Sequence, residues 1–280
     1  MKKIKAGWQL TRKSWRVLSD SPGLMRFPLV GGAAALLAAI VLIGPGLYLV
    51  ETDMTVPGVA LIAVGTYLCA FLTYYFAVAL AHSADRQMQG EVAGFGEGMS
   101  VASSRAGAVA GWAFVATVVM TVIRAIQERF GLAGAILGGL AGAAWGILTF
   151  LAVPVIAVEG LGPIATIKRC AELVRTRWGE QITGTIAIGG IIFLLGFLPA
   201  VLLIVAGVIL WASSAAAGGL MIAAGVLVLV MAALVQQSLA TIFGVALYRY
   251  VAGQETVGGF TSEELESAVR LKRGAEPATI

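Results

Sequence analysis

The chain has 280 residues, 59% of them hydrophobic and 12% charged, with a mean hydropathy of +0.92. An ordinary soluble domain carries about 25% charged residues, so this composition excludes a water-soluble globular protein: the apolar surface exceeds what one core could hide, and the solvent must be lipid. The formal net charge of +4 sits in short segments beside apolar runs, which points to anionic lipid headgroups as the acidic partner and away from nucleic acid.

In chain order, residues 1–26 carry Lys2, Lys3, Lys5, Arg12, Lys13, Arg16 and Arg26 but no short apolar core followed by a small-residue cleavage site, which is not the pattern of a signal peptide. Ile4, Trp8, Thr11, Trp15 and Leu18 share one face of a helix with the basic residues opposite, so the segment is expected to lie on the membrane with Trp8 and Trp15 at the headgroup boundary. Ser21, Pro22 and Gly23 end it.

A helix needs about 20 apolar residues to cross a bilayer core. Six stretches meet that length, at 27–50, 56–81, 106–126, 133–158, 182–211 and 218–248. The expected fold is therefore all-α: a polytopic membrane helical bundle with six transmembrane helices over residues 27–250. Runs this long exclude barrel strands, which need only about ten alternating residues. Lysine and arginine gather in the N-terminal segment, at Arg86 and Arg105, at Lys168 to Arg177 and after Arg249, whereas the opposite connections hold only Arg124 and Arg129. By the positive-inside tendency both termini are cytoplasmic. Arg124 and Glu128, one turn apart, are expected to pair locally.

Between the fourth and fifth stretches, residues 163–179 form an amphipathic interfacial helix on the cytoplasmic side. Ile164, Ile167, Ala171, Val174 and Trp178 recur at helical spacing on one face, while Lys168, Arg169, Glu172 and Arg175 take the other. Pro163 suits its first turn. Lys168, Arg169, Arg175 and Trp178 are thus candidate lipid-interface residues. Cys69 and Cys170 give neither a disulfide framework nor metal spacing. Residues 251–280 read as a polar cytoplasmic tail, with Thr261 and Glu264 as a capping box.

A shift of 66 residues lays Gly94, Phe95, Gly96, Ser100, Val101 and Trp112 on Gly160, Leu161, Gly162, Thr166, Ile167 and Trp178. Ile4 and Trp15 repeat the eleven-residue separation before the first hairpin, as three units of surface helix plus hairpin would require. The runs SWRVL at Ser14 to Leu18, LMRFPLV at Leu24 to Val30, AHSADRQM at Ala81 to Met88, and VPVIAVEGLGPIATIKRCAELVRTRWGE at Val153 to Glu180 resemble an uncharacterised family of six-span prokaryotic integral membrane proteins, a domain of unknown function. That resemblance implies a prokaryotic plasma (inner) membrane location and brings no activity, cofactor or catalytic residue. Surface helices bearing Trp before hairpins are more loosely similar to the membrane domain of glycerophosphodiester phosphodiesterases; with no phosphodiesterase domain present, that activity is not implied.

Gly134, Gly138, Gly142 and Gly146 step by four along the fourth stretch, a spacing that lets helix backbones approach closely where lipid supplies no hydrophobic drive. Gln236 and Gln237 lie inside the sixth stretch, where they either bond between helices or line a polar cavity with Tyr74 and its neighbours. Glu159, where the fourth stretch meets the connector, is either a cation or proton site or a carboxylate held at headgroup level. His82 and Asp85 share a face, yet one histidine is poor zinc chemistry and interfacial capping is favoured. No HExxH, GxSxG or GxxxxGK is present. The expectation is an integral membrane protein without identifiable catalytic machinery, cofactor or metal: a scaffold or accessory factor interacting with lipids or partner subunits, as a homo- or hetero-oligomer. The alternative is a small-solute channel or permease.

Overall fold

The computed structural model describes residues 12–15, 18–19, 21–91, 93–177, 197–253, 256–258 and 260. Among them all regular structure is helical. The elements are α1 (Gly23–Glu51), α2 (Thr55–Met88), α3 (Phe95–Ser104), α4 (Ala106–Arg129), α5 (Gly131–Thr149), α6 (Ala152–Glu159), α7 (Pro163–Arg177), α8 (Leu198–Trp211) and α9 (Ala215–Gly253). Two breaks trace to proline. Pro45 cannot donate to the carbonyl one turn earlier, and the preceding turn, Ala39–Ile43, widens to a π-helix. Pro154 cannot bond to Phe150, where α5 stops and α6 restarts.

Gly23–Glu51, Thr55–Met88, Ala106–Arg129, Ala133–Glu159 and Ala215–Gly253 are long and apolar enough to cross a bilayer. The chain is a multi-pass membrane protein. The expected fifth stretch is described only from residue 197; its helix α8 has 14 residues, about 21 Å, short of a ~30 Å hydrocarbon core. The six-span expectation therefore stands here as five spans plus α8, and residues 182–196 lie outside the described residues.

The turns at 52–54, 130 and 212–214 define one end of the bundle, the hairpin end; the links at 89–94 and 160–162 and the segment after α9 define the other, the connector end. α2 is the central helix, packing against α1, α3, α4, α6 and α9. With 34 residues in α2 and 39 in α9, these helices run about 51 and 58 Å, beyond the 40–45 Å of a whole bilayer. The surplus lies at the connector end, and there the buried core forms. Phe76 to Ala81 of α2, Leu239 to Val251 of α9, Leu151 to Ala157 of α6, Phe27 and Trp112 pack together. Toward the hairpin end Leu36, Leu37, Ile40, Leu140, Ile209 and Leu227 are exposed, the pattern of helices whose outer solvent is acyl chain.

The hairpins α1/α2 and α8/α9 are built alike. A Cβ on Gly46 would stand 3.0 Å from the Gly58 carbonyl oxygen and one on Gly58 2.7 Å from that of Gly46; the corresponding distances are 2.9 Å for Gly207 to Gly218 and 2.7 Å for the reverse. Ile62 covers Gly46 as Ile222 covers Gly207, each at 2.8 Å. Backbones this close exclude any side chain at these positions. The 66-residue alignment does not describe this repeat. Trp112, which that alignment sets opposite Trp178 of the surface helix, lies within α4, as the third apolar stretch predicts, and is 1% exposed; Trp178 lies outside the described residues.

The sequence reading of the termini also changes. Trp15 is half-exposed, while Ser14 and Leu18 turn inward; Trp8 lies outside the described residues. The supposed tail begins as a strap: the Gly258 amide donates to the Met88 carbonyl at 3.3 Å, and Phe260 is buried with its ring 6.5 Å from Phe243.

Candidate functional site

The polar chemistry of the described residues converges on the connector end, around two adjacent residues of α9. Arg249 reaches α2, where its Nε and Nη2 donate to the two carboxylate oxygens of Asp85 at 2.7 and 2.5 Å. Asp85 is 6% exposed at its side chain. This fork-on-fork geometry is the strongest form of the arginine–carboxylate pair. Tyr248, the preceding residue, points to α6 and donates its hydroxyl to Glu159 Oε1 at 2.6 Å.

Glu159 is held from a third side by α7, whose Arg169 donates Nε at 2.9 Å and passes Nη1 to Glu172 at 3.1 Å. The hydrogen bond with Glu159 raises the Arg169 pKa above the usual arginine value, against the opposing effect of burial. Beside it the Cys170 thiol is pushed up to about 12, first by burial and then by the Glu159 charge. The turn that brings α7 here depends on Gly160, which ends α6 with φ +68°, a conformation only glycine adopts freely. The orphan carbonyls at the C-terminus of α6 are met by Arg105, which donates to Ile156 at 2.6 Å, to Ala157, and to Val158 at 3.2 Å. Burial lowers the pKa of Arg105.

A third cluster joins the end of α2 to α3 and the link before it. Arg86 meets Glu91 at 2.5 Å and Glu97 at 3.4 Å, and His82 Nε2 stands 3.4 Å from Glu97. Thus His82 and Asp85, expected together on one face as a cap, divide their contacts between α3 and α9. Arg249 had been counted only as a positive charge near the bilayer. The available signal was one acid and one base, each at the same end of a long apolar helix, with no partner of its own nearby in sequence.

Lys168 and Arg175 are exposed and Ile164 is 67% exposed, whereas Arg169 is engaged and Thr166, Cys170 and Leu173 are buried toward the bundle. The expected apolar stripe is therefore only one of three faces of α7. The glycine ladder divides as well. A side chain on Gly134 or Gly138 would collide with Ile126, Gln127 or Phe130 of the adjoining α4 segment, but Gly142 and Gly146 have nothing within 4 Å. Tyr74 stands edge-on to Trp112 at 6.2 Å, and Trp112 stacks on Trp145 at 6.0 Å. A cavity of about 190 Å³ opens between α2 and α4, with Thr66, Tyr74, Thr117, Thr121 and Arg124 among its lining. Of Gln236, Gln237 and Tyr74, which the sequence suggests for one polar cavity, it takes Tyr74. Glu159 is in the network above, and Gln236 and Gln237 lie about 32 Å along α9 from Ala215, with Gln237 exposed.

Among the described residues, no three His, Cys, Asp or Glu side chains converge as metal ligands. The connector-end network has the chemistry of a clamp: each charge is placed against an opposite charge, a hydroxyl or a carbonyl from another helix. No curated protein and no solved structure matches the chain, so the looser likeness to the phosphodiesterase membrane domain gains no support. A family model does match, over residues 56–259, which takes in α2 to α9 and both partners of every inter-helix charge contact described above; the chain belongs to the family of unknown function DUF6159.

Proposed function

We propose that this protein is a non-enzymatic membrane scaffold or accessory factor, whose connector end seats anionic lipid or a partner subunit in a homo- or hetero-oligomer. One observation carries the reading: charged side chains at that end make contacts across helices, Arg249 with Asp85, Arg169 with Glu159, and Arg105 with the backbone carbonyls that end α6. Such contacts hold α2, α6, α7 and α9 in fixed relation, which suits a platform better than a reaction centre. The exposed Lys168, Arg175 and Ile164 add a basic and apolar surface of the kind anionic leaflets attract. The lysine and arginine bias favours the cytoplasmic side for this end, with both termini inside, and the family resemblance suggests that the membrane is a prokaryotic inner membrane.

The full chain in sealed vesicles of phosphatidylcholine and phosphatidylglycerol tests this reading. Entrapped potassium, protons and glycerol should leak no faster than from empty vesicles, and a photo-crosslinker at position 168 or 175 should capture lipid or a distinct partner in cells. Solute flux above background that is abolished by Gln236→Leu would establish the channel or permease reading in its place.

A further inference from the structure

The cavity between α2 and α4 lies away from the connector-end network and has its own chemical order. Along α4, Arg124, Thr121, Thr117 and Ala116 line it in sequence from the hairpin end, and Thr66, Ala70 and Tyr74 face them from α2 at steps of four. At 1.5 Å per residue, Arg124 is about 9 Å, Thr121 about 14 Å and Thr117 about 20 Å from the turn at Phe130. The lining therefore passes from a cation at the mouth through threonines to Ala116 and Ala70, with the Tyr74 ring deepest. Among the described residues no ion pair includes Arg124, and the expected pair with Glu128 does not form. Its charge is available to a ligand.

The three threonines differ in what they offer a ligand. Thr121 turns its hydroxyl back to the Thr117 carbonyl at 2.8 Å, but the Thr117 Oγ1 is shut off from solvent and has no hydrogen-bond partner. Neither of these hydroxyls is offered to the groove, which leaves Thr66 of α2, exposed and without a side-chain hydrogen bond among the described residues, as the donor a ligand oxygen can meet. The opening is lateral. Thr66, Met120, Thr121 and Arg124 are exposed, flanked by the exposed apolar Val64, Val118 and Val122, so the neighbouring solvent is the lipid leaflet.

We propose that this groove binds one anionic glycerophospholipid of the hairpin-side leaflet. Its phosphate pairs with Arg124, an ester oxygen accepts from the exposed Thr66 hydroxyl, and the start of one acyl chain lies over Ala116, Ala70 and Met120. The cation at the mouth, the Thr66 hydroxyl beneath it and the alanines further in lie in the order of phosphate, ester and chain in the lipid itself. The site needs only that the hairpin end reach a headgroup layer, and it stands whether or not the connector end is a platform.

The test uses the full chain in phosphatidylcholine nanodiscs titrated with phosphatidylglycerol, with bound lipid counted by native mass spectrometry. The wild-type protein should hold one phosphatidylglycerol per chain. Arg124→Gln should weaken it about tenfold, Arg124→Lys should keep part of the affinity, and Arg129→Gln, outside the groove, should leave it unchanged. Thr66→Val should lower affinity several-fold, whereas Thr117→Val, which removes a hydroxyl closed to the groove, should raise the melting temperature of the delipidated protein and leave affinity unchanged. Equal losses in the Arg124 and Arg129 variants, or no loss in either, would overturn the site. Displacement of the lipid by glycerol 3-phosphate at equal concentration would assign the groove to soluble phosphate instead, overturning the lipid assignment.

Discussion

Asp85 and Arg249, 164 residues apart in sequence, meet through two parallel hydrogen bonds and tie the ends of α2 and α9 where both outrun a bilayer's thickness. The carboxylate is almost wholly enclosed, so removal of either partner strands a charge in a poorly solvated place. Asp85→Asn and Arg249→Met should each lower stability by about 3 kcal/mol, the low end for breaking a buried pair, because Arg249 keeps a quarter of its side chain exposed. Asp85→Leu with Arg249→Met should recover most of the loss, since no lone charge remains. Unfolding in mixed micelles measures all three; a double variant as weak as the singles would show that the pair acts through more than its mutual charge.

The glycine contacts make an uneven prediction. Gly58→Ala and Gly218→Ala each insert a Cβ 2.7 Å from a facing carbonyl oxygen, and overpacking of this kind costs about 1–3 kcal/mol. Gly142→Ala and Gly146→Ala meet nothing within 4 Å and should melt within a degree or two of the parent, or slightly above it, given alanine's better helix propensity. Equal losses at all four positions would mean that the ladder on α5 also packs tightly.

Cys170 offers a pH test. Burial and the Glu159 charge favour the neutral thiol and hold its pKa at about 12 in the folded protein, against about 8.5 for a free thiol. Iodoacetamide at pH 8 should therefore label Cys170 far more slowly in the folded chain than in the unfolded one, because only the thiolate attacks. With the folded value above the unfolded one, the contribution to stability is fully present below the ordinary thiol pKa and is lost as pH rises toward 12. Fast labelling of the intact protein at pH 8 would show that α7 lifts from the bundle.

Lys168 and Arg175 carry the exposed charge of α7, whereas Arg169 is engaged by Glu159 and Glu172. Changing Lys168 and Arg175 to Gln should weaken attraction to phosphatidylglycerol vesicles by about 1 kcal/mol per charge. The effect should shrink between 0.1 M and 1 M salt as the Debye length falls from about 10 Å to about 3 Å. Arg169→Gln should act differently, lowering thermal stability in detergent at any salt concentration. Nitroxides at Ile164 and Leu173 separate the faces: the first should be open to oxygen in lipid, the second shielded from both oxygen and water.

Several site residues were legible in part. Glu159 stands where the fourth stretch meets the connector, a position that already singles it out in sequence; its pairing with Arg169 is seen only in the structure. The hydroxyl of Tyr248 on the same carboxylate was not foreseeable, because a tyrosine near the end of an apolar run ordinarily reads as an interface anchor. Gly134 and Gly138 fit the close-approach reading of the ladder, but the tighter contacts at Gly46 and Gly58, and at Gly207 and Gly218, follow no step of four within one helix. They arise across a turn, between residues whose register is set by how the two helices pair.

The sequence by itself determined the class of this protein: long apolar runs with few charges must be helices in lipid, since each helix satisfies its backbone hydrogen bonds internally. Composition and period along one segment carry that information completely. Tertiary structure alone decided which charges meet. Asp85 with Arg249, Glu159 with Tyr248, Arg105 with the end of α6, and the alignment of Arg124 over Thr117 each depend on how helices rotate and slide against one another. Where lipid is as apolar as the side chains, hydrophobic burial does not favour one rotation over another, and close packing with a few polar contacts makes the choice.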